Sequence, residues 1–162
     1  MDGGYLTYAL LAALATALLI AAFTDLRRRQ IDNWLNLAIA CGAPVFWLAA
    51  GLGWTDVGLQ VAVAVATFAV VAALFAIGAM GGGDVKLLTA LALWIKPVWF
   101  LKLILIMAIV GGAITIVCGI AHVMRRRRDR VAVPYGIAIS FAGLWVLASE
   151  YYPLVSSALQ TG

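Results

Sequence analysis

Residues 57–79 read VGLQVAVAVATFAVVAALFAIGA. No Asp, Glu, Lys or Arg interrupts them. Coiled into a helix rising ~1.5 Å per residue, the stretch can cross the ~30 Å hydrocarbon core of a bilayer. The rest of the chain has the same character. Of 162 residues 65% are hydrophobic and 11% charged, and the mean hydropathy is +1.07. A water-soluble domain needs far more charge on its surface. No segment shows the apolar–polar alternation of a membrane β-barrel. The expected fold is therefore all-α: a polytopic membrane helical bundle forming a single domain over residues 1–162.

Working outward from this stretch, five more spans are expected: Tyr5 to Phe23, Trp34 to Leu52, a short one from Asp84 to Ile95, Val98 to Met124, and Val133 to about Tyr152. The 57–79 stretch is third of six. Loops are short, so neighbouring helices should run antiparallel.

Arginines set the orientation. DLRRRQIDN after the first span carries Arg27, Arg28 and Arg29, and RRRRDR after the fifth carries Arg125 to Arg128 and Arg130. With Lys86 these fall on one side, which is then cytoplasmic, and both termini are non-cytoplasmic. Of the 11 basic residues, Lys96 and Lys102 alone fall toward the other face. MDGG at the start lacks the basic residues of a signal peptide. The formal charge of +4 belongs to loops that meet anionic membrane lipids, not to a nucleic-acid-binding module.

Cys41 and Cys118 fall within spans and read as small packing residues rather than a disulfide. No Cys-x-x-Cys pair points to zinc, so neither metal nor cofactor is expected. His122, beside the arginines, reads as an interfacial polar residue.

Seven carboxylates remain. Asp2 is terminal, and Glu150 lies near the outer end of the last span. Asp56 can cap the third helix, and Asp129 sits among arginines. Asp32, two residues before the second span, occupies a natural N-cap position. That leaves Asp25 and Asp84. Asp84 follows three glycines in AMGGGDVKLLTALALWI (79–95), and capping alone does not require such a run. Glycines admit the close approach of another backbone. From Asp84 to Ile95 a helix rises only ~18 Å, so the carboxylate is recessed below the membrane surface. An ionisable group at that depth is a candidate functional residue. Asp25 ends the first span on the same side. Two carboxylates near one water can share a proton, one activating the water while the other polarises a carbonyl. Helix dipoles would make Asp84, at a helix start, the ionised partner and Asp25, at a helix end, the protonated one.

At these residues the chain resembles the type IV prepilin peptidases, which are GxGD intramembrane aspartic peptidases. GGGD at 81–84 fits the motif, and GGGDVKLLTALALWI resembles the segment that follows it. DLRRRQIDNWLN resembles the family's first catalytic loop, and VPYGIAIS (133–140) its Pro-Tyr-Gly segment. The resemblance implies that Asp25 and Asp84 are catalytic. It implies supporting places for Gly81, Gly82, Gly83, Lys86, Pro134, Tyr135 and Gly136. The family's Ile-Pro-Asn reads Ile31-Asp32-Asn33 here, so an aspartate replaces the proline. The zinc-binding methyltransferase domain of larger members has no counterpart, which is similar to the peptidase-only enzymes of tight-adherence (Flp) pili and to archaeal preflagellin peptidases. The implied substrate is a prepilin or pseudopilin with a short basic leader, cut at the cytoplasmic face of the bacterial inner membrane. Basic loops would not attract that leader. A rival reading, a small transporter or a pilus-assembly subunit with proton- or cation-binding aspartates, also uses Asp25 and Asp84 but leaves the three peptidase-like stretches unexplained. A purely structural scaffold leaves the glycine run without a reason.

Overall fold

A computed structural model describes residues 3–124 and 135–151, with side chains in the first segment from residue 4 to residue 120. It contains six α-helices: α1 Gly3–Arg28, α2 Asn33–Ala49, α3 Trp54–Ala76, α4 Gly82–Ala92, α5 Pro97–Met124 and α6 Tyr135–Val146. The last of these continues as a π-helical turn, Leu147–Tyr151. Three helices, Gly4–Arg28, Trp54–Ala76 and Pro97–Ile120, are long and apolar enough to cross a membrane. The side chain of His122, residues 125–134 (Arg125 to Arg128, Asp129, Arg130 and Pro134 among them), Asp2 and Tyr152 lie outside the described residues.

Helix ends follow local chemistry. α2 and α3 each close on a left-handed glycine, Gly51 (φ 65°) and Gly78 (φ 75°). In both, paired amides return to the last turn: Gly51 and Leu52 to the carbonyls of Leu48 and Trp47, Gly78 and Ala79 to those of Phe75 and Leu74. Pro97 opens α5 at the position where its missing N–H costs nothing. Two expected caps come out differently. Gly53, not Asp56, occupies the N-cap of α3, and Asp56 lies in the first turn, where the dipole still favours it. Asp32 does occupy the N-cap of α2, but its side chain makes no capping hydrogen bond.

The short α4 is the centre of the bundle and packs against α2, α3 and α6. Val85, Leu87, Leu88, Ala90, Leu91 and Ala92 are all buried, so this helix is covered nearly all round. The outer helices instead turn large apolar residues outward, Val65, Phe68, Leu105, Ile109 and Val117 among them, as a lipid-facing surface does. α4 rises only ~16 Å and α5 ~42 Å. The two are joined by the turn at 93–96, so the start of α4 falls well short of the far end of α5.

At the Ile95 end, indoles fix α4 to α2. Trp94 Nε1 donates to the Ile39 carbonyl at 2.7 Å, and Trp47 Nε1 donates to that of Leu93 at 2.8 Å. Gly42 admits the Trp94 ring: a Cβ there would lie 2.8 Å from its Cζ2. The ring stacks on Phe46 with centroids 5.0 Å apart. Trp94→Ala is expected to destabilise the protein by about 3–5 kcal/mol through the lost packing, as read by thermal unfolding in detergent. At this end Lys102 and Glu150 form an ion pair between α5 and the π turn, a pairing their separation in sequence does not suggest.

Candidate active site

Asp25 lies in the last turn of α1. That helix ends as Arg29 enters the left-handed region (φ 52°) and its amide returns to the Asp25 carbonyl at 2.8 Å. The chain then crosses in three residues to α2. The Asp25 side chain points away from its own helix, and its Oδ2 accepts the Ile137 amide of α6 at 3.2 Å. Gly136 makes this approach possible. A Cβ there would sit 2.7 Å from Asp25 Oδ2 and 2.8 Å from Ile31 Cδ1.

Asp84 is the third residue of α4, with its carboxylate folded back on the helix start. A Cβ on Gly81 would lie 2.9 Å from Asp84 Oδ2. Gly83 faces the 29–32 crossing, where a Cβ would meet Ile31 Cβ at 3.2 Å and Ile31 N at 3.4 Å. The glycine run thus does two things: it leaves room for the carboxylate, and it lets the loop bearing Ile31 lie against the start of α4. Gly83→Ala should push that loop outward and lower activity about tenfold with little loss of folded protein, measured as initial rate beside thermal stability.

Two side chains tie α2 to α4 across this contact. Asn36, 4% exposed, donates from Nδ2 to the Gly83 carbonyl at 3.4 Å. On the outside, Lys86 Nζ donates to Asn33 Oδ1 at 2.7 Å. Sequence reasoning missed Asn36, although an asparagine within an apolar span is itself a signal.

The result is one cavity of about 340 Å³, lined by Asp25, Asp84, residues 29–33 and the three glycines. Both aspartates are buried, at 5% and 8% exposure. Of the expected residues, Asp25, Asp84, Gly81, Gly82 and Gly83 meet here, and Gly136 packs beneath Asp25. Lys86 is exposed and acts at the back of the contact. Tyr135 turns toward α5, its ring against Gly111 and its hydroxyl 3.3 Å from that of Thr115. Pro134 is outside the described residues. Helix dipoles do not separate the two aspartates as expected, because Asp25 ends α1 but sits at the N-terminus of α6. Both carboxylates therefore face helix starts. Among the described residues no cluster of His, Cys, Asp and Glu could hold a metal.

The fold and cavity define a helical membrane protein with two buried carboxylates at one end of its bundle, an arrangement that can hold and polarise a water. Residues 12–116, which include both aspartates, match the type IV leader peptidase family. The chain belongs to that family and is a peptidase of the leader-removing kind. No curated protein and no solved structure gives a significant match.

Proposed function

We propose that this protein is an aspartic endopeptidase that removes the leader of prepilins or pseudopilins, with Asp25 and Asp84 as its catalytic pair. The observation that carries this reading is the convergence of two buried carboxylates, distant in sequence, on one cavity. With one proton between them, the ionised aspartate takes a proton from water as the oxygen attacks the scissile carbonyl. The protonated aspartate hydrogen-bonds the carbonyl oxygen and gives up its proton. Collapse of the tetrahedral intermediate returns a proton to the leaving amine.

In this reading one domain spans the bacterial inner membrane six times, with both termini outside the cytoplasm. The Asp25 end, bearing Arg27 to Arg29, faces the cytoplasm. A helical substrate has to unwind where it is cut, because its carbonyls are already hydrogen-bonded. A transporter would need a wet path through the bundle from the aspartates. Fully buried Leu18, Leu87, Leu91 and Ile139 fill the core instead, which favours the peptidase. The test is co-expression with a candidate prepilin and mass spectrometry of the product. A shortened pilin lacking its leader is expected, and an unprocessed pilin across a panel of candidates refutes the proposal.

A further inference from the structure

A second cavity, of about 620 Å³, opens at the end of the bundle opposite Asp25 and Asp84, between the start of α1, the α2–α3 turn and the start of α5. The proposed chemistry does not use it. Gln60 of α3 lines it and is only 2% exposed. The Gln60 Oε1 is sealed from solvent without a partner, and its Nε2 makes no hydrogen bond among the described residues either. A buried amide left unbonded costs free energy, and a ligand that accepts from its N–H₂ recovers part of that cost. Lys96 is the one charged residue in the lining. Its ammonium lies 5.1 Å from the centroid of the Trp99 ring and has no ion-pair partner among the described residues, whereas Lys102 is paired with Glu150. The stretches that continue the chain from here, 1–2 and 152–162, add no Lys or Arg. An unpaired cation and an unused N–H donor both call for oxygen acceptors.

An apolar groove adjoins the cavity. Tyr8, Leu11 and Tyr151 line both, and the groove, of about 350 Å³, runs on between α1 and α6 to Ala15 and Leu144. From Tyr8 to Ala15 the helix rises ~10 Å toward the middle of the bundle. Gln60 lies six residues into α3, ~9 Å beneath its start, while Lys96 stands in the turn at the end of the bundle. From the end inward the order is a cation, a hydrogen-bond donor and an apolar channel. A phospholipid repeats that order as phosphate, ester carbonyls and acyl chain. The rings of Tyr8, Trp99 and Tyr151 are of the kind that sits at head-group level.

Resting on the membrane-spanning reading but not on the peptidase one, we infer that this end of the bundle holds one phospholipid with a net anionic head group, of the phosphatidylglycerol kind. Its phosphate meets Lys96, an ester carbonyl accepts from Gln60 Nε2, and one acyl chain fills the α1–α6 groove. Head-group charge decides between lipids. A zwitterionic head carries its own cation beside the phosphate and gains less from Lys96. Depth decides between a lipid and a soluble phosphate ester, since only the lipid has a chain for the groove.

The experiment titrates the full-length protein in detergent with phosphatidylglycerol and with phosphatidylcholine of the same acyl chains. Native mass spectrometry reads lipid bound per chain, and unfolding temperature is followed alongside. The ratio of the two affinities within one preparation cancels any difference in folded fraction. The wild type should hold one phosphatidylglycerol about fivefold more tightly than phosphatidylcholine, the scale of one basic side chain at an anionic surface. Lys96→Gln should bring the ratio close to one. Gln60→Leu should weaken both lipids by about two- to tenfold and keep the ratio, without lowering the unfolding temperature of the lipid-free protein. Ala15→Phe, which closes the groove, should weaken both as well. Glycerophosphoglycerol, the same head group without chains, should not displace the lipid. A preference that survives Lys96→Gln overturns the inference, as does a wild type with no preference or a Gln60→Leu protein that binds both lipids unchanged. Displacement by the chainless head group would make this a site for soluble phosphate esters, and a second copy of the chain bound in place of lipid would make it a dimer contact; either result also overturns the inference.

Discussion

Asp84→Asn and Asp25→Asn are each expected to reduce leader removal by about 100- to 10,000-fold, the scale of a lost general acid–base group. Asparagine keeps the shape and an acceptor oxygen, so in Asp25→Asn the side chain can still accept the Ile137 N–H. What it loses is the ability to exchange a proton with water. A structural role predicts a different pattern. Two carboxylates buried at 5% and 8% exposure, with no ion-pair partner among the described residues, repel each other and lose hydration. Replacing one with a neutral amide should leave thermal stability unchanged or raise it, while activity is lost. The measurement is therefore paired: product formation by mass spectrometry, and unfolding temperature in detergent. An Asp84→Asn protein that still processes prepilin at a tenth of the wild-type rate would end the assignment.

Gly136→Ala is the second large effect. The added methyl would lie 2.7 Å from Asp25 Oδ2, 2.8 Å from its Cγ and 2.8 Å from Ile31 Cδ1. The α6 backbone is packed against α1 and α5 and cannot retreat cheaply. The carboxylate and the Ile31 loop must move instead. A displacement of about 1 Å at a reacting group costs on the order of 100-fold in rate, against about 1–3 kcal/mol of stability for the overpacking. Activity should fall far more than the folded fraction, and the loss should appear in kcat. Gly112→Ala is the control on α5, because nothing lies within 4 Å of its added Cβ. Equal losses in the two variants would mean that the contact at Gly136 has no special importance.

Much of the fold is legible in the sequence, because a bilayer admits few solutions. Uninterrupted apolar runs must be helices, and Arg27 and Arg28 mark where the first of them ends. The helix positions follow the expected spans to within a few residues at most ends. The missed ends are instructive. Asp56 reads as a cap because it precedes an apolar run, but the helix begins earlier, at Trp54, behind a glycine. Asp32 has the cap position, but its side chain makes no capping hydrogen bond and lines the cavity instead. The candidacy of Asp25 and Asp84 comes from depth and from the glycine run. The role of Gly136 cannot be read, because its neighbour Asp25 is more than a hundred residues away in the chain.

The sequence by itself determined the class of solvent, the order of the helices and the two carboxylates that do not belong in hydrocarbon. These follow from hydropathy and local spacing, which act over a few residues and need no knowledge of what packs against what. Tertiary structure decided which end of which helix each carboxylate faces. It carried Asp25 from the unfavourable end of α1 to the favourable start of α6, and brought Ile31 onto Gly83. It also placed Asp32 in the same cavity. Such arrangements depend on contacts between distant segments, and the close packing at Gly83 and Gly136 leaves no room for an added methyl.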